Sequence, residues 1–148
     1  MAAFVVKARV GDARAKTLVF TAMKTMYGGK AIAVADTVYV FDSETSGGGG
    51  LIARGVVTMA EPCDPPPRSG GGGPRSGGGG KPPRSTPRVS IAVRITAHAK
   101  RALGRAELKP FRGSDGPGAE LDFKFYRQAT DKIGGITDAA AKWLERRF

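Results

Sequence analysis

The chain has 148 residues, the size of one domain, and carries 24 basic against 13 acidic side chains for a net charge of +11. A single cysteine, Cys63, and a single histidine, His98, exclude an internal disulfide and the ligand sets of a structural zinc site, so neither metal nor cofactor is expected. No apolar run approaches the roughly 20 residues that span a bilayer, and the start Met1-Ala-Ala-Phe-Val-Val-Lys7 shows neither a charged leader nor a cleavage site, which predicts a cytoplasmic protein. The positive charge favours polyanionic partners, of which nucleic acid is the commonest in a cell; the competing reading is a surface charge that serves solubility alone.

Phe4, Val6, Ala8 and Val10 alternate with Lys7 and Arg9, the period-two pattern of a half-buried strand. Asp12 is placed to cap a helix in which Leu18, Val19, Ala22, Met23 and Met26 recur at helical spacing and Gly28-Gly29 provides the stop. Thr37–Phe41 and Leu51–Met59 read as two strands of a hairpin joined through Ser46 and the glycines Gly47 to Gly50.

From Pro62 to Pro87 the composition changes to low complexity: Pro67-Arg-Ser-Gly-Gly-Gly-Gly repeats from Pro74 and is followed by Lys81-Pro-Pro-Arg-Ser. Glycine raises the entropy cost of ordering and no apolar side chain offsets it, so a long disordered insertion inside the single domain of residues 1–148 is expected. Arg68, Arg75, Lys81, Arg84 and Arg88 space positive charge along this arm. It reads as a nonspecific nucleic-acid tether, as a docking peptide for a partner domain, or as a tolerated surface insertion.

After the arm, Val89, Ile91, Val93 and Ile95 alternate with Ser90, Ala92 and Arg94, a strand that turns Arg94 outward. His98-Ala-Lys-Arg101 forms a basic turn, Arg105–Lys109 a helical turn stopped by Pro110, and Gly113 to Gly118 a loop. Leu121–Gln128 alternates like a strand and also fits a helical turn; the two remain open. Thr137 caps a final helix that turns Ala140, Trp143 and Leu144 inward and leaves Lys142, Glu145, Arg146 and Arg147 in water. Short strands with helices at the edges predict an α+β protein built on a small mixed β-barrel.

Catalytic signals are missing. Gly28-Gly-Lys30 lacks the spacing and the Ser or Thr of a phosphate-binding loop, His98 has no evident nucleophile or orienting carboxylate, and Cys63 shows no sign of thiolate activation. No enzyme is expected.

The order of segments resembles the EVE domain, a relative of the PUA, YTH and ASCH folds. Ala35-Asp36-Thr-Val-Tyr-Val-Phe41-Asp42-Ser43 stands where that family has a turn and an apolar strand ending in aromatic-His-Ser. Gly50-Leu-Ile-Ala-Arg-Gly-Val-Val-Thr-Met-Ala-Glu-Pro62 matches the following strand, and Arg88–Arg94, Ala106–Lys109, Phe123-Lys-Phe-Tyr-Arg-Gln128 and Thr137-Asp-Ala-Ala-Ala match the later ones. Ala35 and Asp42 replace the family's Gly and His, and its Trp-x-Gly-Val-Arg-Asn-Tyr segment has no counterpart beyond Thr25-Met-Tyr27-Gly-Gly.

The resemblance implies a PUA-like barrel that reads a modified base, turned out of its stack and held between aromatics. Tyr27, Phe41 and Tyr126 are then candidate stacking faces, Asp42, Ser43 and Gln128 candidate partners for the base edge, and Arg127 a candidate phosphate clamp. Each also has a plain role: core packing for Phe41, an amphipathic rim for the tyrosines, a backbone tie for Arg127. Arg88, Arg94, Lys100, Arg101, Arg105, Lys109 and Arg112 form the densest basic run outside the arm and are candidates for a phosphate-tracking rim. The expected function is a non-catalytic nucleic-acid-binding module, DNA or RNA; the alternative is a small-molecule or protein-binding barrel whose charge is incidental.

Overall fold

The computed structural model describes residues 2–12, 14–43, 49–63, 88–126 and 131–148, and the repetitive arm therefore lies outside the described residues. Six strands close into a barrel: β1 (Ala3–Ala8), β2 (Thr17–Met26), β3 (Thr37–Asp42), β4 (Gly50–Cys63), β5 (Arg88–His98) and β6 (Lys132–Ile136). Their order around the wall is β1-β3-β4-β5-β2-β6, with β1 parallel to β3, β2 parallel to β6 and every other pair antiparallel. Three short helices, α1 (Arg105–Leu108), α2 (Pro117–Leu121) and α3 (Asp138–Glu145), lie outside the wall. This is the mixed barrel with peripheral helices that the segment order predicts.

Alternation along the strands sorts the apolar side chains into two cores. Phe4, Val6, Phe20, Val38, Val40, Ile91, Val93 and Ile133 fill the barrel interior. Val5, Tyr39 and Phe41, the odd-numbered partners of those residues on β1 and β3, face outward and are covered by Leu108, Leu121, Phe125, Tyr126 and Leu144 of the helical layer. Thr137 caps α3 as expected, its Oγ1 accepting the Ala140 N–H at 3.2 Å. The Tyr39 hydroxyl donates to Glu145 at 2.6 Å, and Arg54 bridges the same carboxylate, which ties the end of α3 to β3 and β4.

Residues 17–26 form a strand rather than the expected helix. Asp12 does cap, but it caps a turn: its Oδ1 accepts the Arg14 N–H at 3.0 Å. The misleading periodicity has a physical cause in a β-bulge, a register shift between Phe20 and Met23 at which Ala22 takes φ 49°. One extra residue switches the inward phase, so Leu18 and Phe20 before the bulge and Met23 after it all reach the interior. That spacing imitates a helix. The bulge's freed backbone groups are taken up from β5, Ser90 Oγ accepting the Ala22 N–H at 2.8 Å and Arg88 donating to the Ala22 carbonyl at 3.0 Å.

Two further expectations change, and one open reading is decided. Strand β4 runs through Pro62 and Cys63, paired with Val89 and Arg88, so the ordered wall extends beyond the expected start of the arm. Leu121 to Tyr126 resolves as helical: α2 passes into a π-helical turn over Asp122–Tyr126. The α2 helix itself begins at Pro117, inside the stretch expected to be loop. Strand β6, Lys132-Ile-Gly-Gly-Ile136, carries no strand pattern in sequence and exists through its pairing with β1 and β2. A side chain at Gly134 would meet the Phe125 ring at 2.9 Å, so glycine there lets the π turn sit on the wall.

Gly50, at φ +86°, lies so close to the Leu103 carbonyl that a Cβ would collide with it. Gly50→Ala is expected to lower stability by about 2–4 kcal/mol in urea unfolding, through both backbone strain and the clash.

Candidate nucleic-acid interface

Strand register assembles a row of cations on the outer wall that the sequence does not display. Lys7 of β1 pairs directly with Lys132 of β6, and Arg88 of β5 pairs with Lys24 of β2. Thr25 lies level with Ile133, which sets Lys24 beside Lys132. Because Val5, Val89, Met23 and Ile133 fix the phase of each strand, all four cations fall on the outward face. Arg88, Lys24, Lys132 and Lys7 thus follow one another across four adjacent strands.

The ends of this row differ in exposure. Arg88 and Lys24 are half-buried, while Lys7 and Lys132 lie beneath the π turn at 1% and 0% exposure. The Lys7 ammonium donates to the Phe125 carbonyl at 2.8 Å and sits 4.5 Å from the centre of the Tyr126 ring. Lys132 lies 5.9 Å from the Phe125 ring centre. Burial, and then the positive charge of Lys7 and Lys24, pushes Lys132 down to about 8.

Beside the row stands an exposed aromatic pair. Tyr27, at the turn after β2, and Phe123, on the π turn, are 37% and 57% exposed with ring centres 6.4 Å apart. Lys124 lies 5.4 Å from the Tyr27 ring and is anchored to the Gly135 carbonyl and to Glu120. A π-helical turn is an uncommon device that reorients side chains, and here it sends Phe123 to solvent and Phe125 inward. Beyond Phe123 lies a depression of about 550 Å³ lined by Asp115, Glu120 and Asp122, of which Glu120 is paired with Lys124 and Asp122 with Arg112.

The residues singled out in the sequence are distributed unevenly about this face. Tyr27 is on it. Phe41 and Tyr126 are buried and meet edge to face at 6.3 Å, as wall rather than as open stacking faces. Asp42 accepts the Val10 N–H at 3.1 Å, and Ser43 is buried next to it with its N–H on the Ala8 carbonyl at 2.9 Å. Arg127 and Gln128 lie outside the described residues.

Of the basic run, Arg88 belongs to the row, where it also holds the bulge. Arg94 is exposed on the outward face of β5, and Lys100, Arg101, Arg105 and Lys109 are exposed on the segment that follows. Arg112 makes a two-point ion pair with buried Asp122, at 3.1 and 3.2 Å, which raises its proton affinity and engages its guanidinium. Sequence reasoning missed Lys7, Lys24, Lys132 and Phe123. The one available signal was Lys7, a charge inside an otherwise apolar strand.

No protein-family profile and no curated protein sequence matches the chain. Solved structures do. The human THYN1 protein in complex with DNA containing 5-methylcytosine superposes over 99% of this chain and 98% of its own, with a TM-score of 0.61 at 14% identity. The DUF55 domain of human thymocyte nuclear protein 1 gives 0.59 at 13% identity, over 99% of this chain and 98% of its own. A protein from Pseudomonas putida gives 0.62 at 14% identity, over 99% of this chain and all of its own. The chain therefore has the fold of the DUF55 domain, the EVE type of PUA-like barrel that its order of segments resembles.

Proposed function

We propose that the protein is a nucleic-acid-binding module without chemistry of its own, and that it docks through the outer face of β2 and β5 around Lys24 and Arg88 and through the turn after β2. The observation that carries this reading is the accessible end of the cation row, Arg88 and Lys24, beside the exposed Tyr27 and Phe123 pair. Cations supply phosphate contacts and salt dependence, and exposed rings supply faces for unpaired bases. The likeness to a barrel solved on DNA with 5-methylcytosine supports the finer reading, in which one modified base is turned out of its stack and recognised at this face.

The test is titration of single- and double-stranded oligonucleotides, plain and carrying modified cytosine or adenine, at low and moderate salt. Tyr27→Ala and Phe123→Ala are each expected to weaken single-strand binding by about fivefold or more, since stacking contributes about 1–3 kcal/mol per base. Lys24→Ala is expected to reduce the salt slope by about one. Preference for one modified base establishes the reader; equal, salt-sensitive binding of all oligonucleotides leaves a general polyanion binder; no binding at low salt overturns the reading and favours a small-molecule or protein ligand.

A further inference from the structure

Lys132 presents a problem the barrel does not solve internally. Its side chain is fully buried, and among the described residues its Nζ has no hydrogen-bond partner. An ammonium has three N–H donors and no acceptor, and burying it unpaired costs several kcal/mol. Lys7 is its direct cross-strand partner and Lys24 stands on the other side, so the neighbours add repulsion. The Phe125 ring, 5.9 Å away, offers only a weak cation–π contact.

An apolar side chain at position 132 would lie against the Phe125 ring without that penalty. The missing element is a compact group with several acceptors and negative charge. An oxyanion supplies both, and two adjacent ammoniums against aromatic walls give it charge on one side and a desolvated surface on the other.

We propose that Lys132, with Lys7 beside it, binds a small oxyanion, phosphate or carboxylate, between the outer barrel wall and the turn of residues 122–126. The oxyanion has two possible sources, a free ion or a group carried on nucleic acid such as a terminal phosphate or a carboxylated base. The site itself does not depend on the nucleic-acid reading, because free phosphate alone is a sufficient probe.

The experiment measures thermal unfolding of the full chain at constant ionic strength, with sodium chloride replaced stepwise by phosphate or acetate. Wild-type Tm is expected to rise saturably, by about 5–10 °C at a hundredfold excess over Kd. Lys132→Met is expected to start from a higher Tm in chloride and to show no saturable rise. Lys132→Gln, which keeps a donor and loses the charge, is expected to lose at least tenfold in phosphate affinity by calorimetric titration. Competition for the phosphate site by a 5′-phosphorylated oligonucleotide, but not by its 5′-hydroxyl counterpart, identifies a strand end as the source, and competition only by an oligonucleotide with a carboxylated base identifies the base. Competition by neither identifies the free ion. A wild-type protein indifferent to both anions, or a Lys132→Met protein that responds as the wild type does, overturns the proposal.

Discussion

Raising the pH from about 8 to 10.5 in oxyanion-free buffer is expected to stabilise the wild-type protein by about 3 kcal/mol relative to Lys132→Met. In the native state Lys132 is held down to about 8, against 10.5 for the exposed group. Below 8 the amine is charged in both the native and the unfolded state, so the full cost of the buried charge is present. Between 8 and 10.5 the unfolded state binds more protons than the native state, and stability therefore climbs with pH. Above 10.5 the amine is neutral in both states and the cost has gone. Lys7 and Lys24, the charged neighbours on β1 and β2, are present in both proteins, so the difference between the two curves isolates position 132. Urea unfolding at half-unit pH steps checks this. A pH-independent difference would mean that the amine is not buried with its charge. Saturating phosphate is expected to flatten the climb, because a bound oxyanion raises the affinity of Lys132 for its proton.

Phe125→Ala is expected to destabilise the protein by about 3–5 kcal/mol, the range for truncating a buried aromatic ring. Phe125 is 1% exposed, rests on the backbone at Gly134, and fills the space between the outer wall and α2. Its backbone carbonyl also accepts the Lys7 ammonium, so a shift of the π turn disturbs that bond as well. Phe123→Ala, two residues earlier and 57% exposed, is expected to change stability by less than about 0.5 kcal/mol. Chemical denaturation of the two variants side by side measures the contrast. Equal losses would contradict the opposite orientations that the π turn imposes.

Phe123 and Phe125 also illustrate how far residues can be read in order. Both belong to an alternating segment that suits a strand or a helical turn equally, and strand alternation would have placed them on one face. A π turn sends them to opposite sides, and nothing local in Phe123-Lys-Phe-Tyr126 specifies it. Similarly, Leu18, Phe20 and Met23 carry helical spacing because a bulge at Ala22 resets the inward phase, and the bulge is held by Ser90 and Arg88, about 68 residues away.

What was legible from residue order were the elements whose own chemistry is sufficient. Alternation marks β1 and β5, β-branched and aromatic runs either side of a glycine turn mark β3 and β4, and a hydroxyl before Asp138 marks the start of α3. The net charge of +11 likewise announces an excess of surface cations. The placing of four of the cations came from pairing. Lys7, Lys24, Arg88 and Lys132 are scattered over the chain, and barrel closure with its particular register sets them in a row. β6 carries two glycines and a lysine, a poor strand by composition, and becomes one because β1 and β2 provide hydrogen bonds on both sides. Periodicity depends on neighbours along the chain, whereas the buried lysine pair depends on which strands close the barrel, a long-range choice that no local pattern encodes.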